Sequence, residues 1–393
     1  MKTGKLVLIG LFLIANFLLV DFPGAKIVLA LAIVVILFNY LYTRGVKREM
    51  TVRRFMDTEK VFMGLSEDTS LVTSNGFFLP MHALIVTDSA DLNISIQQMH
   101  YFLFSIDPMG SELASYQLFG RKRGKYHVGP TRVKFSDFMG MNSFTLEYDT
   151  VKDIIVFPNI YIVANMPFKS LQPYGSIRNN LRIFEDPTMI VGLKEYQYGD
   201  EIKKINWKVS AKYDKLYINT YQPAISAGSV LILNLFENDY NFRNKEYYME
   251  QAIEISASFI RHLFIFRQEI ALAVNCRIDR IDTKVISEIN KGDAHFTRLL
   301  TSLSLMEPAA QTPLQNLLDL SALNLKWGTC IYLVTPRLDE ASLYKLLEFR
   351  RTGHTVTLIN LGPEIQKDMS LWNIGFQSFY AEIEGNLINL LRI

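Results

Sequence analysis

The densest cluster of ionisable side chains in the sequence lies between residues 192 and 212. Glu195 and Asp200 are two carboxylates that could act as an acid and a base in hydrolysis, a chemistry that needs one protonated and one ionised group. Ser210 and Lys212 are the only tempting nucleophile and base, but side chains two residues apart on a helix face different directions. A hydrolase that uses Glu195 and Asp200 is therefore the enzymatic alternative.

Other chemistry finds little support in the sequence. The six histidines include no His-x-x-x-His pair, so a zinc-protease motif is absent, and no Gly-Lys-Ser/Thr of a phosphate-binding loop occurs. The formal net charge of +2 gives no general attraction to nucleic acid. Cys276 and Cys330 each lie in an apolar run and are expected to be buried, reduced thiols. We expect no cofactor, no nucleic-acid partner and no catalytic activity.

The same cluster also has a structural interpretation. It reads Gly192-Leu-Lys194-Glu195-Tyr196-Gln-Tyr198-Gly199-Asp200, followed by Lys204-Ile-Asn206-Trp207-Lys208-Val-Ser210-Ala211-Lys212. Interleaved charges predict an ion-paired clasp that fixes a connector, in which Gly199 permits a tight turn and Trp207 fills an apolar hole. A partner-binding surface is the other interpretation.

This run resembles the signature of a bacterial family called domain of unknown function 58. Lysine stands at 194, 204 and 212 where that family usually has arginine, which keeps the charge but not the bidentate geometry. Two upstream segments are also similar to family motifs, namely Gly120-Arg-Lys-Arg-Gly124-Lys-Tyr126-His-Val-Gly129-Pro130 and Ser136-Asp137-Phe138-Met-Gly140.

The resemblance implies an architecture and a partner. The family order is a membrane hairpin, a β domain and a terminal domain that resembles the von Willebrand factor type A fold. The resemblance implies that the chain works together with a MoxR-type AAA+ ATPase, and in many cases also with a transglutaminase-like membrane protein. The resemblance thus implies an adaptor in the maturation of cell-envelope complexes.

A type A fold carries a metal site of the form Asp-x-Ser-x-Ser at the end of its first strand. Here Asn234 and Phe236 occupy that place, so the site is degenerate and no metal is expected, since Mg²⁺ and Ca²⁺ require oxygen ligands that are mostly anionic. A shifted set of Glu237, Asp239 and Asn241 would restore three oxygens. We interpret the loop instead as a partner-contact surface, formed by Glu237, Asn238, Asp239 and Asn241.

Two apolar runs, Leu6 to Val20 and Ile27 to Phe38, flank the turn signal Pro23-Gly24 and predict a transmembrane helical hairpin over residues 1–45. Most basic residues lie on the outer sides of the two runs, while the loop between them carries only Asp21 and, at its edge, Lys26, so the positive-inside rule places both ends in the cytoplasm. A cleaved signal peptide is the alternative, but no cleavage site follows Val20.

Periodicity assigns the rest of the chain. Short β-rich runs predict a small antiparallel, Ig-like β-sandwich over residues 50–165, and residues 166–227 are an irregular, polar connector that carries the signature. Alternating apolar strands and helices predict a doubly wound α/β domain over residues 228–393. The sequence favours a membrane-anchored, cytoplasmic scaffold that binds protein and the lipid bilayer. A surface adhesin would need an intact metal site and outward topology.

Overall fold

In the computed structural model the chain divides into two compact units, Met1–Pro158 and Asn159–Ile393. The structure describes residues 2–19, 22–97, 101–164, 185–198, 200–223, 228–241, 243–278, 281–322, 325, 328–362 and 376–392.

The first unit begins with two helices, α1 (Lys2–Leu19) and α2 (Pro23–Glu49). Pro23 occupies the first turn of α2, where its missing N–H has no intrahelical partner to lose. Helix α2 is long and apolar enough to cross a membrane, whereas the apolar stretch Gly10–Leu19 of α1 is shorter. Within the described residues, one helix near the N-terminus thus has the length and composition of a membrane span.

An antiparallel β domain follows, as the short β-rich runs predicted. The strands are β1 (Met50–Met56), β2 (Lys60–Phe62), β3 (Ser66–Asn75), β4 (Met81–Thr87), β5 (Ile94–Gln97), β6 (Tyr101–Ile106), β7 (Ser111–Gly120), β8 (Gly124–Val128), β9 (Thr131–Ser136), β10 (Ser143–Tyr148) and β11 (Lys152–Phe157). Two four-stranded sheets have the orders β1-β3-β7-β5 and β10-β9-β4-β6, and a three-stranded sheet has the order β2-β11-β8, in which β2 and β11 are parallel.

The core of this domain lies between the two four-stranded sheets. Leu71 and Leu118 project from one sheet, and Leu84 and Phe135 from the other, into a single buried cluster. Burial alternates along the strands, for example through the second half of β3, because successive side chains point to opposite faces. The C-terminal part of α2 joins the same cluster through Val46.

The second unit begins with β12 (Ile162–Ala164), which pairs in parallel with the last strand of the chain. The β domain therefore ends before this strand and not at residue 165. The described part of the connector is also more regular than predicted. It contains β13 (Glu185–Glu195), a 3₁₀ turn (Ile202–Lys204), α3 (Trp207–Tyr213) and β14 (Tyr217–Pro223), and β13 and β14 pair as an antiparallel ribbon.

A C-terminal α/β region completes the unit, in agreement with the predicted alternation. Its elements are β15 (Ser229–Asn234), α4 (Lys245–Ile265), β16 (Ile270–Ile278), β17 (Ile281–Ile286), α5 (Asp293–Leu305), α6 (Leu314–Ala322), β18 (Cys330–Thr335), α7 (Glu340–Arg351), β19 (Thr355–Asn360), β20 (Gln377–Glu384) and β21 (Leu387–Arg392). The sheet order is β12-β21-β20-β19-β18-β15-β16-β17. Strand β15 lies between β16 and β18, both parallel to it, so the winding direction reverses beside β15.

The apolar spacing of α4 explains its position against this sheet. Ile253, Ala257 and Ile260 recur at steps of three and four residues and are fully buried. Strand β15 is buried at every position, as expected of a central parallel strand that is covered on both faces. Cys276 is buried and Cys330 is partly buried, and no disulfide joins them.

Candidate functional site

The signature residues form a small structure of their own, named here the signature module (residues 185–223). Gly192, Lys194 and Glu195 lie on β13, and Tyr196 continues the ribbon because its N–H donates to the carbonyl of Leu216 at 2.8 Å. Position 199, where the sequence predicts a glycine turn, lies outside the described residues.

Asp200 organises the turn that follows β13. Its Oδ2 accepts a hydrogen bond from the backbone N–H of Gln197 at 2.9 Å and lies 3.3 Å from Nζ of Lys194. The Gln197 N–H, assisted by Lys194, lowers the pKa of the Asp200 carboxyl. Asp200 is therefore an ionised turn residue with a signature lysine as its partner.

Asn206 and Ser210 connect α3 to the ribbon. Oδ1 of Asn206 caps α3 by accepting from the N–H of Val209 at 3.2 Å, while its Nδ2 donates to Oδ1 of Asn219 at 2.9 Å. Ser210 is buried, and its Oγ accepts from the N–H of Tyr217 at 2.9 Å. These polar signature residues hold the module together internally.

Glu195 has a partner that the sequence reasoning missed. Its Oε1 lies 2.9 Å from Nζ of Lys215, two residues before β14, and both side chains are more than half exposed. The order of elements could have indicated this pair, because a strand that returns antiparallel after a short helix places its first residues beside the last residues of the strand before it. Glu195 and Asp200 thus each face a separate lysine.

Trp207 does not fill an apolar hole. Its side chain is 66% exposed at the first position of α3, so the prediction of a buried anchor is wrong. Ser210, and not Trp207, is the buried residue of α3. Lys208, Ala211 and Lys212 are also exposed, whereas Lys204 is partly buried beside Glu201.

A second polar cluster lies at the carboxyl end of the α/β sheet, at the reversal beside β15. Four residues occupy adjacent register positions on four neighbouring parallel strands, three of which end there while β16 continues for three more residues. All four are at most 1% exposed, and they are named here the polar row: Asn275, Asn234, Thr335 and Asn360. Asn234 Oδ1 accepts from Asn275 Nδ2 at 3.0 Å, and Asn234 Nδ2 donates to Thr335 Oγ1 at 3.0 Å. The side-chain amide of Asn360 has no hydrogen-bonding partner within the described part of the chain.

The residues at this edge do not fit a cation. The backbone N–H of Phe236 and the amide of Asn275 both donate to Oδ1 of Asn234, which turns its Nδ2 towards Asp239 and Thr335. An amide N–H₂ group repels a cation, and it occupies the space between two oxygens that would otherwise be ligands. Among the described residues no cluster of three or more His, Cys, Asp or Glu side chains is suited to metal binding.

The loop after β15 is held by its own contacts. Glu237 forms an ion pair with Lys245, which lowers the pKa of the Glu237 carboxyl, and its Oε2 accepts from Gln311 at 2.9 Å. Burial raises the pKa of Asp239, against the lowering effect of the hydrogen bond from Asn234. Asn238 and Asn241 are the exposed members of the predicted contact surface.

The polar row was missed from the sequence, although a signal for it exists. In the sequence, Asn275, Thr335 and Asn360 stand at the ends of the apolar runs that begin at Ile270, Cys330 and Thr355, and the carboxyl ends of parallel strands meet at one edge of a sheet. A polar residue at the end of each consecutive apolar strand is therefore a readable pattern.

The fold defines a multidomain chain with an apolar N-terminal helix, an antiparallel β domain and a C-terminal α/β region that is preceded by the signature module. Residues 192–388 match the family model described as protein of unknown function DUF58, and this stretch is half of the chain. The chain therefore belongs to the DUF58 family.

A curated relative and several solved structures are similar to parts of the chain. The uncharacterized protein YeaD of Bacillus subtilis (strain 168) is 22% identical over 200 residues, which cover 51% of this chain and 47% of that protein. The chain thus matches about half the length of this relative. The CARDB domain of a Pyrococcus furiosus protein has a TM-score of 0.20 and 13% identity, covering 28% of this chain and 87% of that domain. The mussel byssus proximal thread matrix protein 1 has a TM-score of 0.31 and 12% identity, covering 40% and 43%.

Proposed function

We propose that this protein is a non-catalytic, membrane-anchored scaffold whose signature module is the contact surface for a protein partner. The exposed Trp207 carries the proposal. A tryptophan that is two-thirds exposed on a helix held by internal hydrogen bonds contributes little to folding, and tryptophan is the side chain most enriched at binding hot spots.

The surroundings of Trp207 indicate the chemistry of the partner. Within the segment 202–213, Ile202 and Tyr213 are also mostly exposed, and the exposed Lys203 and Lys208 follow Ile202 and Trp207 in the sequence. A segment that exposes apolar side chains interspersed with lysines complements an apolar pocket with acidic residues near it. The partner is therefore a protein with such a pocket.

The resemblance to the family supplies the identity of this partner. Family members resemble companions of MoxR-type AAA+ ATPases and of transglutaminase-like membrane proteins, and we place the present chain in the same role, in the maturation of cell-envelope complexes. Helices α1 and α2 then form a hairpin that crosses the cytoplasmic membrane twice and leaves both units in the cytoplasm, because basic residues flank the apolar runs on their outer sides.

The α/β region serves in this proposal as a degenerate von Willebrand factor A-like domain. Its order of strands, with β15 between β16 and β18 and an antiparallel β17 at the edge, supports this likeness. Its loop at Glu237, Asn238, Asp239 and Asn241 offers a second contact surface through the exposed Asn238 and Asn241.

The hydrolase alternative receives less support from the geometry. A general acid at neutral pH needs a raised carboxyl pKa, whereas the pKa of Asp200 is lowered and its carboxylate is occupied by Gln197 and Lys194. Glu195 is likewise paired with Lys215 on an exposed ribbon.

The proposal is tested by affinity capture of the full chain from solubilised membranes, followed by identification of the bound proteins. A MoxR-type ATPase that copurifies with wild type is the expected result. Capture of no ATPase, together with hydrolytic activity that disappears in Glu195→Gln and Asp200→Asn, would replace the scaffold by the enzyme.

A further inference from the structure

Helix α2 continues from its apolar part directly into the β domain. Asn39 is buried there, and its Nδ2 donates to Oδ2 of Asp137 at 3.2 Å while its Oδ1 accepts from the N–H of Phe138 at 3.0 Å. One turn later Tyr42 is buried and donates to the carbonyl of Pro80 at 3.0 Å. The β domain therefore contacts α2 from Asn39 onward.

Aromatic rings form much of the contact between α2 and the β domain. The ring of Phe138 lies 5.1 Å from that of Phe38 and 5.6 Å from that of Tyr42, both edge to face. Phe77 approaches Tyr42 at 6.2 Å and lies so close to Gly45 that a Cβ there would meet its ring at 2.4 Å. Two loops of the β domain, 76–80 and 137–142, thus contact the helix, and Met109 joins them through a hydrogen bond to the carbonyl of Phe77.

The outer side of these loops is apolar and exposed. Five apolar side chains in these loops are at least half exposed and are named here the loop tips: Phe78, Met109, Phe138, Met139 and Met141. Exposed apolar side chains concentrated at one end of a domain indicate an interaction surface. What covers this surface follows from the helix that emerges beside it.

The length of α2 sets the depth of this end of the domain. From Pro23 to Phe38 the helix spans about 24 Å at ~1.5 Å per residue. The hydrocarbon core of a bilayer is about 30 Å thick and is crossed by about 20 helical residues. A span that begins at Pro23 therefore ends in the turn between Asn39 and Tyr42. The loop tips lie beside that turn, and the first charged residue after Lys26, Arg44, follows it.

We propose that the loop tips insert into the interface of the bilayer that α2 crosses, so that the β domain rests directly on the membrane. The partner is phospholipid, because the surface is continuous with the membrane-spanning helix. Phe78 and Phe138 supply apolar rings of the kind that are buried at the boundary between headgroups and acyl chains. Lys47, which lies 4.0 Å from the ring of Phe144, and the exposed Arg44 and Arg48 then face the headgroups.

This inference rests on the proposed membrane anchor, and the test separates the two. Single cysteines are introduced into the full chain, labelled with a nitrobenzoxadiazole fluorophore, and placed in vesicles of phosphatidylethanolamine and phosphatidylglycerol that contain a nitroxide-labelled lipid. Leu31→Cys reports the span, Met139→Cys and Met141→Cys report the loop tips, and Leu65→Cys and Leu92→Cys are exposed controls at the opposite end of the strands. Wild type treated in the same way gives the background from Cys276 and Cys330.

The expected result is strong quenching at 31, clear quenching at 139 and 141, and none at 65 and 92. Quenching at 31 with positions 139 and 141 no different from 92 would overturn the inference and leave the anchor standing. Protection of 139 and 141 from water without lipid quenching would assign the surface to a second copy of the chain and also overturn it. No quenching at 31 would overturn the anchor and the inference together.

Discussion

The side-chain amide of Asn234 donates a hydrogen bond to Oδ2 of Asp239 across 2.7 Å, at the carboxyl edge of the α/β sheet. The same amide donates to Thr335. The N–H₂ group of Asn234 thus offers its partial positive charge to the oxygens of Asp239 and Thr335, in the place where a bound cation would offer a full charge.

This arrangement predicts the response to divalent ions. Mg²⁺ or Ca²⁺ should leave the melting temperature of the wild-type chain unchanged, because Asn234 Nδ2 occupies the place between the oxygens. Asn234→Asp replaces the donor by a second carboxylate, which should lower the melting temperature without metal. Mg²⁺ should raise it again, because a hundred-fold excess over Kd adds about 2.7 kcal/mol to the free energy of unfolding. Asn234→Ala is the control, and should be destabilised without any response to Mg²⁺. A metal response of wild type that is lost in Asp239→Asn would contradict this account.

Asp239 predicts a dependence of stability on pH. Because burial raises its pKa, folding favours the protonated carboxyl, and the ionised form costs stability at neutral pH. That cost should diminish as the pH falls through the raised pKa towards the ordinary value. Asp239→Asn retains an acceptor for Asn234 and removes the charge, so it should melt above wild type at pH 7, with the difference disappearing in acid. An equal difference at both pH values would show that the charge is not responsible.

The internal hydrogen bonds of the signature module predict local stability. Ser210→Ala leaves the N–H of Tyr217 without its acceptor, at a cost of about 1–3 kcal/mol, and Asn206→Ala removes a helix cap at a cost of about 1 kcal/mol. Amide hydrogen exchange of residues 206–218 in the full chain should accelerate in both variants. Lys208→Ala, an exposed neighbour, should change nothing. Unaltered exchange in Ser210→Ala would show that the clasp is not held by this serine.

Topology is tested by reporters fused to the C-terminus. The positive-inside rule predicts that a reporter which is active only in the cytoplasm will function there, and that alkaline phosphatase will not. Fusion of the same reporters after residue 21 provides the control, because the hairpin would place that position outside. Phosphatase activity at the C-terminus would place the folded units on the other side of the membrane.

Periodicity predicted the β domain and the α/β region, because burial on one face or both leaves alternation in β3 and a continuous apolar run in β15. It could not predict which residues of the signature are buried. Ser210 is buried and Trp207 is exposed because α3 packs on β14 through Ser210 and Asn206, and these contacts join residues that are not neighbours in sequence. The polar row likewise depends on the order of strands in the sheet, and the contact at Asn39 depends on a partner 98 residues away.

The central claim is that Trp207 belongs to a contact surface and not to the core. The most direct test is the dissociation constant between the full chain in nanodiscs and the captured ATPase, with the melting temperature measured on the same samples. Trp207→Ala should melt with wild type, as an exposed substitution changes stability by less than about 0.5 kcal/mol, yet bind at least about ten-fold more weakly. Tyr344→Ala, an exposed aromatic on α7, should bind as wild type does. Unchanged binding by a folded Trp207→Ala would contradict the claim.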